Sequence, residues 1–123
     1  MRVEVTTENE DGVAVVVVNG GLVAGHADRL AESFAGLLAL GTHNFVVDLS
    51  EMGVVDSSGL ATLVELFKRV RIGPGDVRLC GLQPWVKVVF VLTRLNRVFD
   101  TFDDRAAAVA SFSPAGRMTR QDQ

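Results

Sequence analysis

The sequence predicts a single α/β domain: a mixed sheet of about four to five strands with helices mainly on one face. Three observations carry this reading. Short β-branched runs alternate with helix-period stretches along most of the chain. After an N-terminal hairpin, each later strand is separated from the last by a helix, which requires some parallel pairing. The 123 residues are 48% hydrophobic and 22% charged, enough for one core without metals or disulfides.

Residues 2–7 alternate in part, with Val3 and Val5 on one face. Asp11-Gly12 is a hairpin-turn dipeptide. The run 13–18 reads as a buried strand, and Asn19-Gly20-Gly21 ends it. A helix is predicted over 27–40, because Leu30, Phe34, Leu37 and Leu38 share one face while Asp28, Arg29 and Glu32 face water. Gly41 stands where a helix end favours positive φ. Residues 45–49 form the next strand, and 58–71 a helix with Leu60, Leu63, Val64 and Phe67 as its apolar stripe.

Gly73-Pro74-Gly75-Asp76 is a turn before a short strand at 77–80. Pro84 suits the first turn of a helix, predicted over 84–95. Its wheel assigns Val86, Val89, Phe90 and Thr93 to the core and turns Val88 and Val91 outward beside Lys87. These two valines are expected to form a self-association surface, a homodimer contact, or a second-partner surface. A strand over 98–102 follows, then a helix to Ala110 capped by Asp103 or Asp104. The domain is expected to span 1–112, with the polar 113–123 as a flexible tail.

The bulk numbers exclude several classes. A net charge of −3 without a basic cluster gives no electrostatic footprint for nucleic acid. Cys80 is the single cysteine, so no internal disulfide forms and no thiolate metal site is expected. The start Met-Arg-Val-Glu lacks a signal-peptide apolar run, and the longest apolar runs are too short to span a bilayer. A cytoplasmic protein without a cofactor and without membrane insertion is the expectation.

The informative segment is Val55-Asp56-Ser57-Ser58-Gly59-Leu60. A strand runs into a loop that delivers Asp-Ser-Ser-Gly to a helix start. Asp56 or Ser57 can accept a first-turn backbone N–H. Gly59 is costly inside a helix, so something must approach its backbone closely. A phosphoryl group on a serine here would meet the positive helix end. From the tripeptide alone, a plain helix cap is the favoured reading.

With Gly20-Gly21-Leu22, Ala27, Leu30, Val46-Val47-Asp48-Leu49, Leu79-Cys80-Gly81-Leu82, Pro84 and Val86-Lys87, this segment resembles the STAS family, and within it the bacterial anti-sigma factor antagonists. The resemblance runs from Val3 to Phe112. It implies a STAS-like fold and a protein-binding module rather than an enzyme. It implies phosphorylation at Ser57 by an anti-sigma factor serine kinase of histidine-kinase-like ATPase fold. The unmodified form would bind that kinase and release its sigma factor. Partner contacts would lie at Asp56, Ser57, Ser58, Gly59, Leu60, Val23, Ala24 and His26. Family members often carry an acidic turn before the first helix, whereas Gly20-Gly21-Leu22-Val23-Ala24-Gly25 has no carboxylate. This leaves a different kinase open. His26 is either a contact residue or a solvated, locally capping one. Within the same family, a scaffold or accessory subunit of a stress-sensing or lipid-transport complex is the alternative.

Other classes fit poorly. A serine hydrolase needs Gly-x-Ser-x-Gly, and the first glycine is missing before Ser57. A phospho-aspartate receiver needs a carboxylate pair after its first strand to hold Mg²⁺, whereas Glu8, Glu10 and Asp11 fall in a hairpin turn. Asp48 then reads as a strand-end hydrogen-bond acceptor. Gly73-Pro74-Gly75 lacks the Lys-Ser or Lys-Thr of a phosphate loop. Cys80 reads as a buried core residue.

Overall fold

A computed structural model describes residues 3–113. The element order is β1 (Val3–Glu10), β2 (Val13–Leu22), α1 (Asp28–Ala39), β3 (Asn44–Asp48), β4 (Met52–Val55), α2 (Ser57–Ile72), β5 (Asp76–Cys80), α3 (Pro84–Leu92), β6 (Thr101–Phe102) and α4 (Arg105–Ala110), with a 3-10 turn at Leu95–Arg97 before β6. The expected tail lies outside the described residues from 114 onward.

Asp11 and Gly12 both take positive φ, 53° and 82°, the turn geometry that matches the twist of two antiparallel strands. β1 therefore pairs antiparallel with β2. β2, β3, β5 and β6 then pair parallel in that order. Thus the mixed sheet holds six strands, because β4 adds one that the hydrophobic pattern did not suggest. β3 runs beside residues 14–17 of β2, and β4 beside residues 20–22, with a register shift between Gly20 and Gly21. The jog between them is shaped by Asp48, whose Oδ1 accepts the Ser50 N–H (3.0 Å) and hydroxyl (2.7 Å). This is the strand-end acceptor role expected of Asp48.

One sheet face carries the main core, where Val16, Val18, Phe45, Val47 and Leu79 meet Leu30 and Phe34 of α1, Leu63 of α2, and Val86 and Phe90 of α3. Phe34 stacks on Phe45 with ring centroids 4.4 Å apart. The other face carries a smaller cluster in which Ala108 and Val109 of α4 cover Val13, Val15, Val46 and Cys80. Burial on both faces explains why β2 and β3 read as unbroken apolar runs. Cys80 is buried, as expected.

α1 ends as anticipated: Gly41 has φ 89°, and the Gly41 and Thr42 N–H groups donate to Leu38 and Leu37 (3.0 Å each). Asp104, not Asp103, caps α4 by accepting the Ala107 N–H (2.8 Å). Two boundaries move. α3 stops at Leu92 instead of residue 95, and Thr93 is exposed rather than in the core, its hydroxyl donating to the Val89 carbonyl (2.7 Å). The strand expected over 98–102 shrinks to Thr101–Phe102, because Arg94 takes a left-handed φ of 64° and starts the 3-10 turn. For a residue with a Cβ that conformation costs about 1–2 kcal/mol.

Candidate functional site

The site is built where β4 ends and α2 begins. Asp56 is the N-cap of α2, and its Oδ1 accepts the Gly59 N–H (3.0 Å). Its Oδ2 accepts the Ala24 N–H (3.1 Å) from the turn after β2. Its own N–H donates to the Leu22 carbonyl (3.3 Å). One residue thus ties the head of α2 to the β2 end and to the next turn. These backbone donors, Ala24 first and Gly59 second, hold the Asp56 carboxyl below its ordinary value.

Gly59 is buried, and a Cβ on it would lie 2.0 Å from the Leu22 carbonyl oxygen. This is the close backbone approach expected at that position. The clamp leaves Ser57, the first residue of α2, exposed, with no hydrogen-bond partner for its hydroxyl among the described residues. Ser58 is exposed as well, and its carbonyl accepts the Thr62 hydroxyl (2.9 Å). Leu60 is half-buried and packs on the main core.

Of the residues before α1, Ala24 is exposed, and Val23 and His26 are half-buried. The Val23 carbonyl accepts the His26 and Ala27 N–H groups (2.9 and 3.0 Å), with Gly25 at φ 84° allowing the turn. The turn is therefore joined to the Ser57 region through Asp56. His26 Nδ1 is buried and finds no hydrogen-bond partner among the described residues. Val88 and Val91 are 58% and 60% exposed, on α3.

Sequence reasoning missed one supporting residue. Gln83 precedes α3, and its Nε2 donates to the Met52 carbonyl (2.6 Å) at the start of β4 and to the Ser50 carbonyl (3.3 Å). The Trp85 indole N–H donates back to Gln83 Oε1 (3.4 Å). Gln83 thus secures the strand that delivers Ser57. A glutamine before a proline carries no local signal of a contact made more than thirty residues away.

On the opposite sheet face, Arg105 reaches Asp48 Oδ2 (3.3 Å) and Glu8 Oε2 (2.7 Å). Burial opposes its charge, but the Asp48 hydrogen bond and the Glu8 carboxylate raise its pKa nonetheless. Burial pushes the Cys80 thiol up to about 12, with the Asp48 charge adding to the effect. No helix among the described residues is long and apolar enough to cross a membrane.

The class defined by this geometry is a small α/β module whose distinctive surface is a clamped helix start bearing a free serine. The chain belongs to the STAS domain family, whose model matches residues 4–108. It is 28% identical over 112 residues to BtrV of Bordetella bronchiseptica, provisionally named an anti-sigma factor antagonist, covering 91% of this chain and 97% of that one. Its fold is similar to an anti-sigma factor antagonist from Mycobacterium paratuberculosis, with TM-score 0.80, 24% identity and coverage of 89% and 92%. It is also similar to the phosphorylated form of the Bacillus cell fate determinant SpoIIAA, with TM-score 0.66, 14% identity and coverage of 96% and 99%.

Proposed function

We propose that this chain is an anti-sigma factor antagonist, a binding module switched by phosphorylation of Ser57. Unmodified, it binds an anti-sigma factor that is itself a serine kinase and so frees a sigma factor. Phosphorylated, it lets that partner go. The observation that carries the reading is Ser57 itself: exposed, unbonded, and held at the first position of α2 by the Asp56 clamp. The names of its relatives support the same role.

The physics of the switch is local. A phosphate adds about −1.5 to −2 charges and three acceptor oxygens. Inside the module the positive end of α2 tolerates that anion. Across an interface the same charge faces a surface shaped for a neutral hydroxyl, and it stands next to ionised Asp56. A clash of this kind costs several kcal/mol, and about 3 kcal/mol is roughly a hundredfold in affinity. Of the neighbouring residues, Ser58, Ala24 and parts of Val23, His26 and Leu60 are open to a partner, while Asp56 and Gly59 act by holding the serine in place.

The test is a set of variants measured against the purified anti-sigma factor. Ser57→Ala binds and cannot be switched off, Ser57→Asp binds weakly, and Ser58→Ala retains kinase-dependent phosphorylation. If Ser57→Ala still accepts phosphate from the kinase, the assignment of Ser57 fails.

A further inference from the structure

α3 presents an apolar face with nothing covering it among the described residues. Val88, Val91 and Leu92 are 58%, 60% and 78% exposed, and Trp85 is 38% exposed. Lys87, Val88, Val91 and Leu92 line a shallow groove of about 260 Å³. Around a helix of 3.6 residues per turn these four are adjacent, opposite Val86 and Phe90, which are buried.

The charge on this segment is one-sided. Lys87, Arg94 and Arg97 are the charged residues between Pro84 and Phe99, and no carboxylate lies among them. All three are exposed, and none makes an ion pair among the described residues. Arg71, Arg78 and Arg105 are each paired with a carboxylate, but the exposed Arg29 and Arg69 are not, among the described residues, so what sets this segment apart is that it holds three cations and no carboxylate. Arg94 adds a second observation. It occupies the left-handed position just past the α3 C-cap, φ 64°, where glycine is the favoured residue. Keeping an arginine in that conformation points to a use for its side chain.

We propose that the α3 face is a second docking surface, separate from Ser57, for a protein segment that presents apolar side chains flanked by carboxylates. The groove takes the apolar side chains, and Lys87, Arg94 and Arg97 take the carboxylates. A second copy of this chain fits less well, because a twofold contact sets a patch against itself and would bring these cations together. An anionic membrane fits less well, because the whole chain carries a net charge of −3.

The probe is a synthetic amphipathic peptide of about 20 residues, with leucines at helical i, i+4 and i+7 spacing among glutamates. Its binding to the full chain is followed by amide chemical shifts and by titration at low and high salt. The expected result is shift changes confined to α3 and residues 93–98, with affinity falling as salt rises. Val88→Asn/Val91→Asn and Lys87→Glu/Arg97→Glu should each weaken the peptide at least about tenfold. Arg94→Gly should weaken it several-fold while the melting temperature holds or rises, which separates lost contact from lost fold. Several results would overturn the proposal: equal binding of a peptide with lysines in place of the glutamates, shifts centred on Ser57, or unchanged binding by Arg94→Gly. Mass that grows with concentration and drops in Val88→Asn/Val91→Asn would assign the face to self-association. Sedimentation with phosphatidylglycerol vesicles but not with phosphatidylcholine vesicles would assign it to a membrane.

Discussion

Replacing Gly59 with alanine tests whether α2 is held as tightly as the Asp56 clamp implies. In an open helix the change stabilises by about 1 kcal/mol, because glycine is the poorer helix former. Here the added Cβ would sit 2.0 Å from the Leu22 carbonyl oxygen and 2.9 Å from Val55 Cγ2. Ordinary contacts need about 3.5 Å, so the head of α2 must retreat by more than an ångström. The obstacle is the backbone of Leu22, which pairs with Val55 of β4 and whose carbonyl accepts the Asp56 N–H, so it cannot swing aside as a side chain would. Overpacking of this kind costs about 1–3 kcal/mol and occasionally more. The retreat also stretches the hydrogen bonds from Gly59 and Ala24 to Asp56. The expected net loss is about 2 kcal/mol, which for a domain of this size lowers the melting temperature by roughly 6–12 °C. Calorimetry reads this directly, and Gly36→Ala is the control, since a Cβ there meets nothing within 4 Å. If Gly59→Ala melts at or above the parent temperature, α2 is not packed on Leu22 and the clamp argument fails.

Further predictions concern the charged groups and the thiol. The Asp56 carboxyl is held low, so its stabilising contribution is full above the ordinary carboxylate range and fades as pH falls through the lowered value. Asp56→Asn should remove that part of the acid dependence in denaturant titrations between about pH 3 and 7, and an unchanged pH profile would refute the clamp's ionisation. Cys80, buried and raised to about 12, should resist iodoacetamide in the native protein and react on unfolding; rapid native labelling would contradict its burial. Arg105→Met leaves Asp48, 8% exposed, without its cation and should cost about 2–3 kcal/mol. Arg105→Met combined with Asp48→Asn should cost less than the sum of the two single changes, and strict additivity in a double-mutant cycle would mean the pair is not coupled.

Much of the fold was legible because its signals are local. Asp11-Gly12 marks the hairpin, Gly41 ends α1, and Pro84 made α3 a helix despite its valines. β4 was not legible. It has four residues, includes Gly53, and follows β3 after only Leu49-Ser50-Glu51, so neither its length nor its pattern stands out from a loop. Its strand identity comes from pairing with β2, about thirty residues away. The expected α2 stripe of Leu60, Leu63, Val64 and Phe67 packs on the main core, but the helix is buried deepest along Gly59, Leu63, Leu66 and Val70, of which the pattern showed only Leu63. A glycine at the point of closest approach carries no hydrophobic signal, yet it sets which face turns inward.

The serine site was half legible. A capped serine at a helix start could be read from Asp56-Ser57-Ser58-Gly59, and the structure resolves the cap to Asp56. The second use of that carboxylate, on Ala24, joins residues thirty-two apart and has no sequence signature. Nor does the Gln83 bond to the Met52 carbonyl, which depends on a loop and a strand meeting only in the folded chain.

The most direct test of the central claim is a pair of titrations of the anti-sigma factor, one with the unmodified chain and one with the kinase-treated chain, with the phosphate located by mass spectrometry. The account predicts a single phosphate on Ser57 and an affinity about a hundredfold lower after modification, with the melting temperature of the module unchanged or slightly higher. A phosphate on Ser58 with Ser57 untouched, or equal affinity before and after modification of Ser57, would contradict it.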